Sequence, residues 1–478
     1  MPNAVQSLCP AGHGPRDPGF CYYGAGRSPA GIQRDLGLDR AQLTFLSAVY
    51  GLAFGGLLLL GGRLADRLGR RRALEVGLGL FGMGALVGMT APGFALLLAA
   101  RFLQGVGAAV ASPAAMALVG SVFTDERRRT QAMALWGTLS AFGAVAGILL
   151  SGFIASWLSW RWVFVLPLIA ALAGVGLAAR LLPPGPAPAS RPLDVPGAIL
   201  VTAGTGLLSY GLMKTLTDSW TSRSVLALLA GGGILLSAFL LVESRVASPL
   251  LPPSFFKNRH RTSALLVVLL VAAGHSTASF LLSLYWQQIR GYSPLATSLA
   301  FLPFVLLIVT GPLAARLLPR MGAPAISAAG MAAAGSGLFL AGQLGSGTAY
   351  GGLLLVGLLL IPLGTGLAFA GATVAATDDV PEEQRGLTAA VVNMAMEVGP
   401  TVGLALLVSL AGSYTSRLIA AGLDLLEATA AGYGFALRAG GLVFLVVASV
   451  AGVLLRRPVP PVRQSLPYGE GNEKEVQG

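Results

Sequence analysis

Most residues of this sequence that could carry chemistry stand alone inside apolar runs. Arg101 lies in the run 94–117, with Gln104 and Gly105 three and four positions further on, along one helical face. Glu397 lies in Asn393-Met-Ala-Met-Glu397-Val-Gly399-Pro400, and His275 lies in the run 263–286. An ionised group at a bilayer centre costs about 2.5–3.5 kcal/mol on insertion scales, so such residues are rare and mark ion or proton pathways. Arg101 serves in this way or else snorkels to the interface, since its run is long enough to shift. Glu397 is the clearest buried carboxyl. A carboxyl there exchanges a proton as burial and nearby charge change, or it faces a polar crevice with no coupling role. His275 carries the one side-chain type that normally titrates near neutrality.

A second group is clustered: Gly62-Arg63-Leu64-Ala65-Asp66-Arg67-Leu68-Gly69-Arg70-Arg71-Arg72. One acid among five arginines, with glycines at fixed offsets, is more than a basic loop. Asp66 sits near the end of one helix and can meet the positive N-terminal end of another, while the arginines pair with acids. Such a charge latch holds one side of a membrane protein shut. Glu75, beside Arg71 and Arg72, reads as an interfacial ion pair. Cys9 and Cys21 build no disulfide framework, and His13, His260 and His275 are far apart. No G-x-x-x-x-G-K-[ST] loop, catalytic triad or metal-ligand spacing occurs. The expectation is neither an enzyme nor a binder of metal or cofactor.

The elements that must hold these groups are set by composition. Of 478 residues, 54% are hydrophobic and 11% charged, against roughly 25% charged in soluble domains. The mean hydropathy is +0.74. Too few charges remain to coat water-soluble domains, and disorder is excluded by the same numbers. A spanning helix needs about 20 mostly apolar residues. Thirteen such runs can be read: 42–62, 73–91, 94–117, 130–152, 162–181, 195–213, 224–242, 263–286, 295–317, 323–343, 349–372, 388–411 and 436–455. The fold class expected is an all-α polytopic membrane protein.

The net charge of +12 does not mark a nucleic-acid binder, because the basic residues sit in short turns between apolar runs. Alternate loops carry twenty-one and six Lys or Arg residues. The richer set, from Arg63 to Arg72 through Arg245 and Lys257 to the tail, is cytoplasmic by the positive-inside rule. Residues 1–31 lack the basic and apolar regions of a signal peptide. An internal repeat is also present: Gly62-Arg-Leu-Ala-Asp66-Arg67-Leu68 returns as Gly311-Pro-Leu-Ala-Ala315-Arg316-Leu317. Both copies follow a span and open a cytoplasmic loop, which points to two parallel halves.

The 62–72 stretch resembles the signature G-x-L-a-D-r-x-G-r-k of the major facilitator superfamily. Leu97-x3-Arg101-x2-Gln104-Gly105-x-Gly107 resembles its motif B, and the resemblance implies that Arg101 takes part in proton coupling. Trp136-Gly137-x5-Gly143-x3-Gly147-Ile148-x2-Ser151-Gly152 resembles the antiporter motif C, with Ile148 where the family has Pro and Ser151 in place of a Gly. The small residues Gly143, Gly147 and Gly152 still allow close helix packing. Trp160-Arg161-Trp162 follows, as in drug-efflux members, and otherwise reads as an interfacial aromatic anchor. Leu193-Asp194-x2-Gly197, the stretch Tyr285-Trp286-Gln287-Gln288, and Phe301-Leu302-Pro303 look like second-half landmarks of the fourteen-span drug–proton antiporter branch, the EmrB/QacA type.

That branch implies two six-helix bundles related by a pseudo-two-fold axis, plus two extra central helices. The limits expected are 32–181 for the N-terminal bundle, 182–194 for a linker, 195–242 for the extra spans, 243–262 for a cytoplasmic linker, 263–455 for the C-terminal bundle and 456–478 for a disordered tail. Thirteen of fourteen spans are recognisable. The short loop Ile32-Gln33-Arg34-Asp35-Leu36-Gly37 resembles the family's, but residues 1–31 replace the span that precedes it. Codons for His13–Pro29 read one base out of frame permit an apolar sequence resembling that span. A frame shift near Pro29 is therefore expected; resequencing the gene's 5′ end tests it.

The function implied is export of drugs, antibiotics or other amphipathic molecules in exchange for protons, by a monomer in the bacterial cytoplasmic membrane. The three Lys against 29 Arg fit a GC-rich bacterial genome. A wide apolar cavity lined by aromatic and Met residues suits such cargo, and Trp136, His275, Tyr285, Trp286 and Gln288 are its candidates, with plain packing or interface anchoring as the alternative for each. Import of a small metabolite by symport, or an inactive paralogue, are the alternatives.

Overall fold

The computed structural model describes residues 32, 35–38, 40–123, 158–182, 194–215, 218–246, 249–251, 253–377, 380 and 385–454, with isolated positions between 125 and 154. The segments 1–31 and 456–478, and nearly all of the run 130–152, lie outside these residues.

The described chain is helical throughout. In order come α1 (Arg40–Leu68), α2 (Arg70–Thr90), α3 (Phe94–Val122), α4 (Val165–Leu181), α5 (Val195–Lys214), α6 (Arg223–Glu243), α7 (Arg259–Leu284), α8 (Pro294–Ala300), α9 (Leu307–Met321), α10 (Ala323–Ala341), α11 (Leu353–Thr377), α12 (Arg385–Ala420) and α13 (Leu425–Leu454). Ends follow local chemistry. Asp194 accepts a hydrogen bond from Gly197 N and starts α5, with Pro196 in its first turn. Asn258 caps α7 through His260 N and Arg261 N.

Ten helices are long and apolar enough to cross a membrane among the described residues. The thirteen expected runs differ from these in three places. Run 42–62 falls in α1, a helix of 29 residues of which Val49–Ala65 is the continuous apolar stretch among the described residues. Run 130–152 lies outside the described residues except at a few helical positions. Runs 295–317 and 323–343 join as one 40-residue stretch, Leu302–Ala341. At about 1.5 Å per residue this stretch is twice the roughly 30 Å hydrocarbon thickness. It is divided at Gly322, whose φ of 78° and ψ of 157° interrupt the helix. Gly69 holds φ 84° and ψ 138° between α1 and α2, so each repeat copy runs into a glycine turn of the same conformation, one that L-residues avoid.

The likeness continues past the turns. Gly77, Gly82 and Gly84 lie eight, thirteen and fifteen residues after Gly69, and Gly330, Gly335 and Gly337 lie at the same distances after Gly322. Gly77 faces Gly107 and Ala111 of α3, as Gly330 faces Gly364 and Ala368 of α11. Gly82 faces Ala171 of α4, as Gly335 faces Gly441 of α13. Gly61 abuts Ala109, as Gly366 abuts Thr310. In lipid the helices gain nothing by hiding apolar surface from water, so close approach at small residues supplies the packing. The buried core is largest in the second half, around Tyr285, Trp286, Phe304, Met331 and Leu338. Large apolar side chains such as Leu172, Leu181, Ile199 and Ile234 are left exposed, facing lipid.

Two segments depart from the expected boundaries. The connection expected at 412–435 shrinks to the few residues between Ala420 and Leu425, because α12 and α13 continue past their most apolar stretches. Hydropathy marks bilayer thickness, whereas backbone hydrogen bonding carries a helix beyond it. The expected run 295–317 is not one helix. Pro303, which has no N–H to donate, sits in a 3₁₀ turn (Leu302–Leu306) between α8 and α9.

α5 and α6 pack on each other, and α5 lies against the seam where α1 meets α12. Thr202 of α5 donates to Gly56 O of α1 at 2.8 Å. Trp220 in the α5–α6 turn donates Nε1–H to Ser409 Oγ of α12 at 2.8 Å.

Candidate functional site

Arg101, Gln104 and Glu397 come together near the seam of α1 and α12. Arg101 on α3 donates from Nη1 to Gln104 Oε1 at 3.2 Å, and its guanidinium lies 4.7 Å from the centre of the Tyr50 ring on α1. Gln104 is buried. Gly105 clears the way for α1: a Cβ there would meet Tyr50 O at 2.6 Å and Ala53 Cβ at 2.7 Å. The Arg-x2-Gln-Gly spacing thus supplies a cation, an acceptor for it and a gap for the ring that covers it. From the other half, Glu397 of α12 stands over α1, its Cβ 3.6 Å from where a Cβ on Gly55 would lie. Tyr50 feels the charges of both Arg101 and Glu397. Asn393, one turn before Glu397, buries an amide Nδ2 with no partner among the described residues. One cation, one carboxyl and a phenol between them therefore meet where α1, α3 and α12 converge. Tyr50 was not singled out by the sequence; a lone hydroxyl in an apolar run was its only signal.

In the basic stretch 62–72 the described contacts are those of the arginines. Arg71 donates to Glu75 Oε1 at 2.8 Å, to Leu182 O at 2.6 Å and to Ala179 O at 3.0 Å. Its cation neutralises the negative C-terminal end of α4. Arg70 reaches Ala117 O of α3 at 3.4 Å, while Arg67 and Arg72 are exposed. Arg63 donates to Pro249 O in the 243–262 linker. Gly62 is buried, and Gly69 makes the turn. The side chain of Asp66 lies outside the described residues, as do Trp136 and Gly152. Gly143 and Gly147 are helical, and a Cβ on either meets nothing within 4 Å among the described residues. At the outer end, Trp160 donates Nε1–H to Asp35 Oδ2 at 2.9 Å, and Arg161 stacks on Trp160 at 4.3 Å.

The aromatic candidates sit in the outer part of the second half. Tyr285 and Trp286 are fully buried in a π turn (Tyr285–Ile289) that ends α7. Tyr285 donates to Gly345 O at 2.9 Å, and Trp286 meets Phe301 edge-on at 4.8 Å. These two are packing residues in this conformation. Gln288 accepts from Tyr433 OH of α13 at 3.1 Å. His275 packs its ring 5.3 Å from Phe304. A cavity of about 720 Å³ is lined by Tyr292, Leu299, Pro303, Leu306, Tyr350 and Leu359 among others; Trp286 reaches it through the ring of Tyr350, and none of the described candidates lines it directly. No group of three or more His, Cys, Asp or Glu residues is placed to hold a metal ion among the described residues.

Comparison with known proteins identifies the family. The sequence profile of the Major Facilitator Superfamily matches residues 23–404. The chain is 38% identical over 440 residues to the puromycin resistance protein pur8 of Streptomyces alboniger, covering 89% of this chain and 86% of that one. It is 36% identical to the cephamycin export protein CmcT of Amycolatopsis lactamdurans, covering 90% and 88%. Among solved structures, the human organic anion transporter MFSD10 (TETRAN) shares the fold, with a TM-score of 0.62, 18% identity and 89% of each chain covered. With its paired glycine turns, its repeated helix contacts and a profile match over most of its length, the chain belongs to the Major Facilitator Superfamily, as a secondary-active transporter of the bacterial cytoplasmic membrane.

Proposed function

We propose that this transporter exports amphipathic antibiotics or related drugs in exchange for protons, by alternating access between two six-helix halves flanked by the extra pair α5–α6, as in the fourteen-span drug–proton antiporters. The observation that carries the proton-coupled part is the convergence of Arg101, Tyr50 and Glu397 at the junction of the halves. A carboxyl at a surface that opens and closes changes its solvation in each cycle, and so its hold on a proton. Arg101, balanced by Gln104 and Tyr50, is a fixed cation against which Glu397 loads and unloads. Relatives named for puromycin resistance, methylenomycin A resistance and cephamycin export support cargo of antibiotic size. The cavity lined by Tyr292, Pro303 and Tyr350 provides apolar surface with two tyrosines, the composition that suits such cargo, and His275 and Gln288 are further candidates outside its lining. Asp66 and Arg67 act at the cytoplasmic gate in this reading.

The test is transport in proteoliposomes containing a pH-sensitive dye. Addition of puromycin or a lipophilic cation to the cytoplasmic face should drive proton movement in the opposite direction. Glu397→Gln should abolish the proton signal. Cargo-driven proton movement of unchanged size in Glu397→Gln would remove Glu397 from the mechanism, and proton movement in the same direction as cargo would make the protein a symporter.

A further inference from the structure

Two acids outside the seam face each other at the cytoplasmic base of the extra helices. Asp194 precedes α5 and Glu243 ends α6; they are 7% and 2% exposed. Each has one oxygen occupied by a backbone amide: Gly197 N donates to Asp194 Oδ1 at 2.9 Å, and Leu251 N donates to Glu243 Oε2 at 2.9 Å. The remaining oxygens, Asp194 Oδ2 and Glu243 Oε1, are buried and have no other partner among the described residues. They crowd one spot: a methyl on Gly197 would meet Asp194 Oδ2 at 2.5 Å and Glu243 Oε1 at 2.7 Å. Both oxygens border the same point, so the two carboxyls are immediate neighbours. Two carboxylates are both acceptors and cannot satisfy one another, whereas one proton between them satisfies both.

The surroundings favour that count. The charged group facing the pair from α1 is Arg63, which donates to Pro249 O beside it. Arg261 of α7 is stacked on Phe255 at 4.7 Å, and Arg245 and Lys257 are exposed. One cation against two buried acids is neutral with a single proton and carries an excess negative charge without it.

We infer that Asp194 and Glu243 form a proton-binding site that holds one shared proton and ties the α5–α6 pair to the 243–262 linker, separate from the seam carboxyl Glu397. Loss of the proton sets two buried carboxylates against each other, loosening the base of α5–α6 and the Leu251 and Pro249 contacts that position Arg63.

Infrared spectroscopy of the full chain in lipid nanodiscs tests this, in a Glu397→Gln background to remove the other buried acid. At neutral pH a protonated-carboxyl C=O band is expected, and it should vanish when Glu243→Gln is added. A Gln at 243 can offer its oxygen to Leu251 N and its amide to Asp194 Oδ2, so the fold survives; Asp194→Asn offers the mirror arrangement should the first variant not fold. Thermal unfolding gives a second reading. The melting temperature of the parent should fall by several degrees as the buffer is made alkaline, and that of Glu243→Gln should show a flatter profile. Absence at neutral pH of any band removed by either substitution, or parallel melting profiles, would overturn the inference.

Discussion

The Arg101 guanidinium lies over the face of the Tyr50 ring, 4.7 Å from its centre, with Glu397 of the other half within electrostatic reach of the same phenol. Tyr50 thus covers the cation on α3 and feels the carboxyl on α12. A cation–π contact in a desolvated site is worth about 2 kcal/mol, or roughly thirtyfold in an equilibrium. Tyr50→Phe keeps the ring and should keep drug efflux within about threefold of the parent. Tyr50→Leu removes the ring and should lower efflux about tenfold or more. Dye efflux from energised cells, normalised to protein in the membrane, measures both. Equal loss in the two variants would place the hydroxyl, not the ring, in the mechanism.

The glycine crossings yield a second prediction. Gly107 lies against Gly77 and Phe81 of α2 so closely that any side chain strikes backbone, and Gly364 lies in the same way against Gly330 and Ala334. Gly107→Leu and Gly364→Leu should each destabilise the purified protein by about 3 kcal/mol or more, at or beyond the upper end of ordinary overpacking, because helix backbones cannot step aside. Gly79 on α2 is exposed and a Cβ there meets nothing within 4 Å, so Gly79→Leu should be neutral. Melting temperatures in one detergent compare all three.

Arg71 and Arg72 are neighbours with different work. Arg71 holds Glu75 and the terminal carbonyls of Ala179 and Leu182, whereas Arg72 is exposed. Arg71→Ala should cost about 1–3 kcal/mol, from the lost charge-assisted bonds at the end of α4. Arg72→Ala should change stability by less than about 0.5 kcal/mol. Thermal unfolding at low and high salt checks this. The Arg71 effect should persist in salt because the site is partly buried.

Much of this was legible in the sequence because lipid writes a loud signal. Most of the spans follow from hydropathy alone, and the seven-residue repeat at 62–68 and 311–317 can be read directly. The motif-B residues also declared themselves, since an arginine in hydrocarbon is costly. What stayed hidden depends on distance between helices. Tyr50 is unremarked beside Val49 and Gly51 until α3 and α12 approach it. Gly77 and Gly330 pair only once register is counted from the turns at Gly69 and Gly322. Tyr285 and Trp286 look like cavity residues by type, yet the π turn directs them into the core. Asp194 stands in a landmark stretch and Glu243 at the edge of the expected 243–262 linker, and only the fold shows that both are buried.

The α5–α6 turn bears on how the extra helices move with the halves. Trp220 donates to Ser409 of α12 at 2.8 Å, while Thr202 binds α5 to Gly56 of α1. The pair is thereby tied to the first half at mid-depth and to the second at the outer end. If α1 and α12 separate during the cycle, one tie must yield, and the single indole bond at the outer surface is the weaker. A double-mutant cycle on Trp220→Phe and Ser409→Ala isolates it. Each single variant and the double should lose about the same stability, around 1 kcal/mol, giving a coupling near 1 kcal/mol, as expected for one neutral hydrogen bond. In transport, Trp220→Phe should raise the rate of outer opening rather than block turnover. A fluorescence pair across the outer ends of α1 and α12 would register this as a larger open population. Additive single losses, or an unchanged open population, would show that the turn rests on α12 without restraining it.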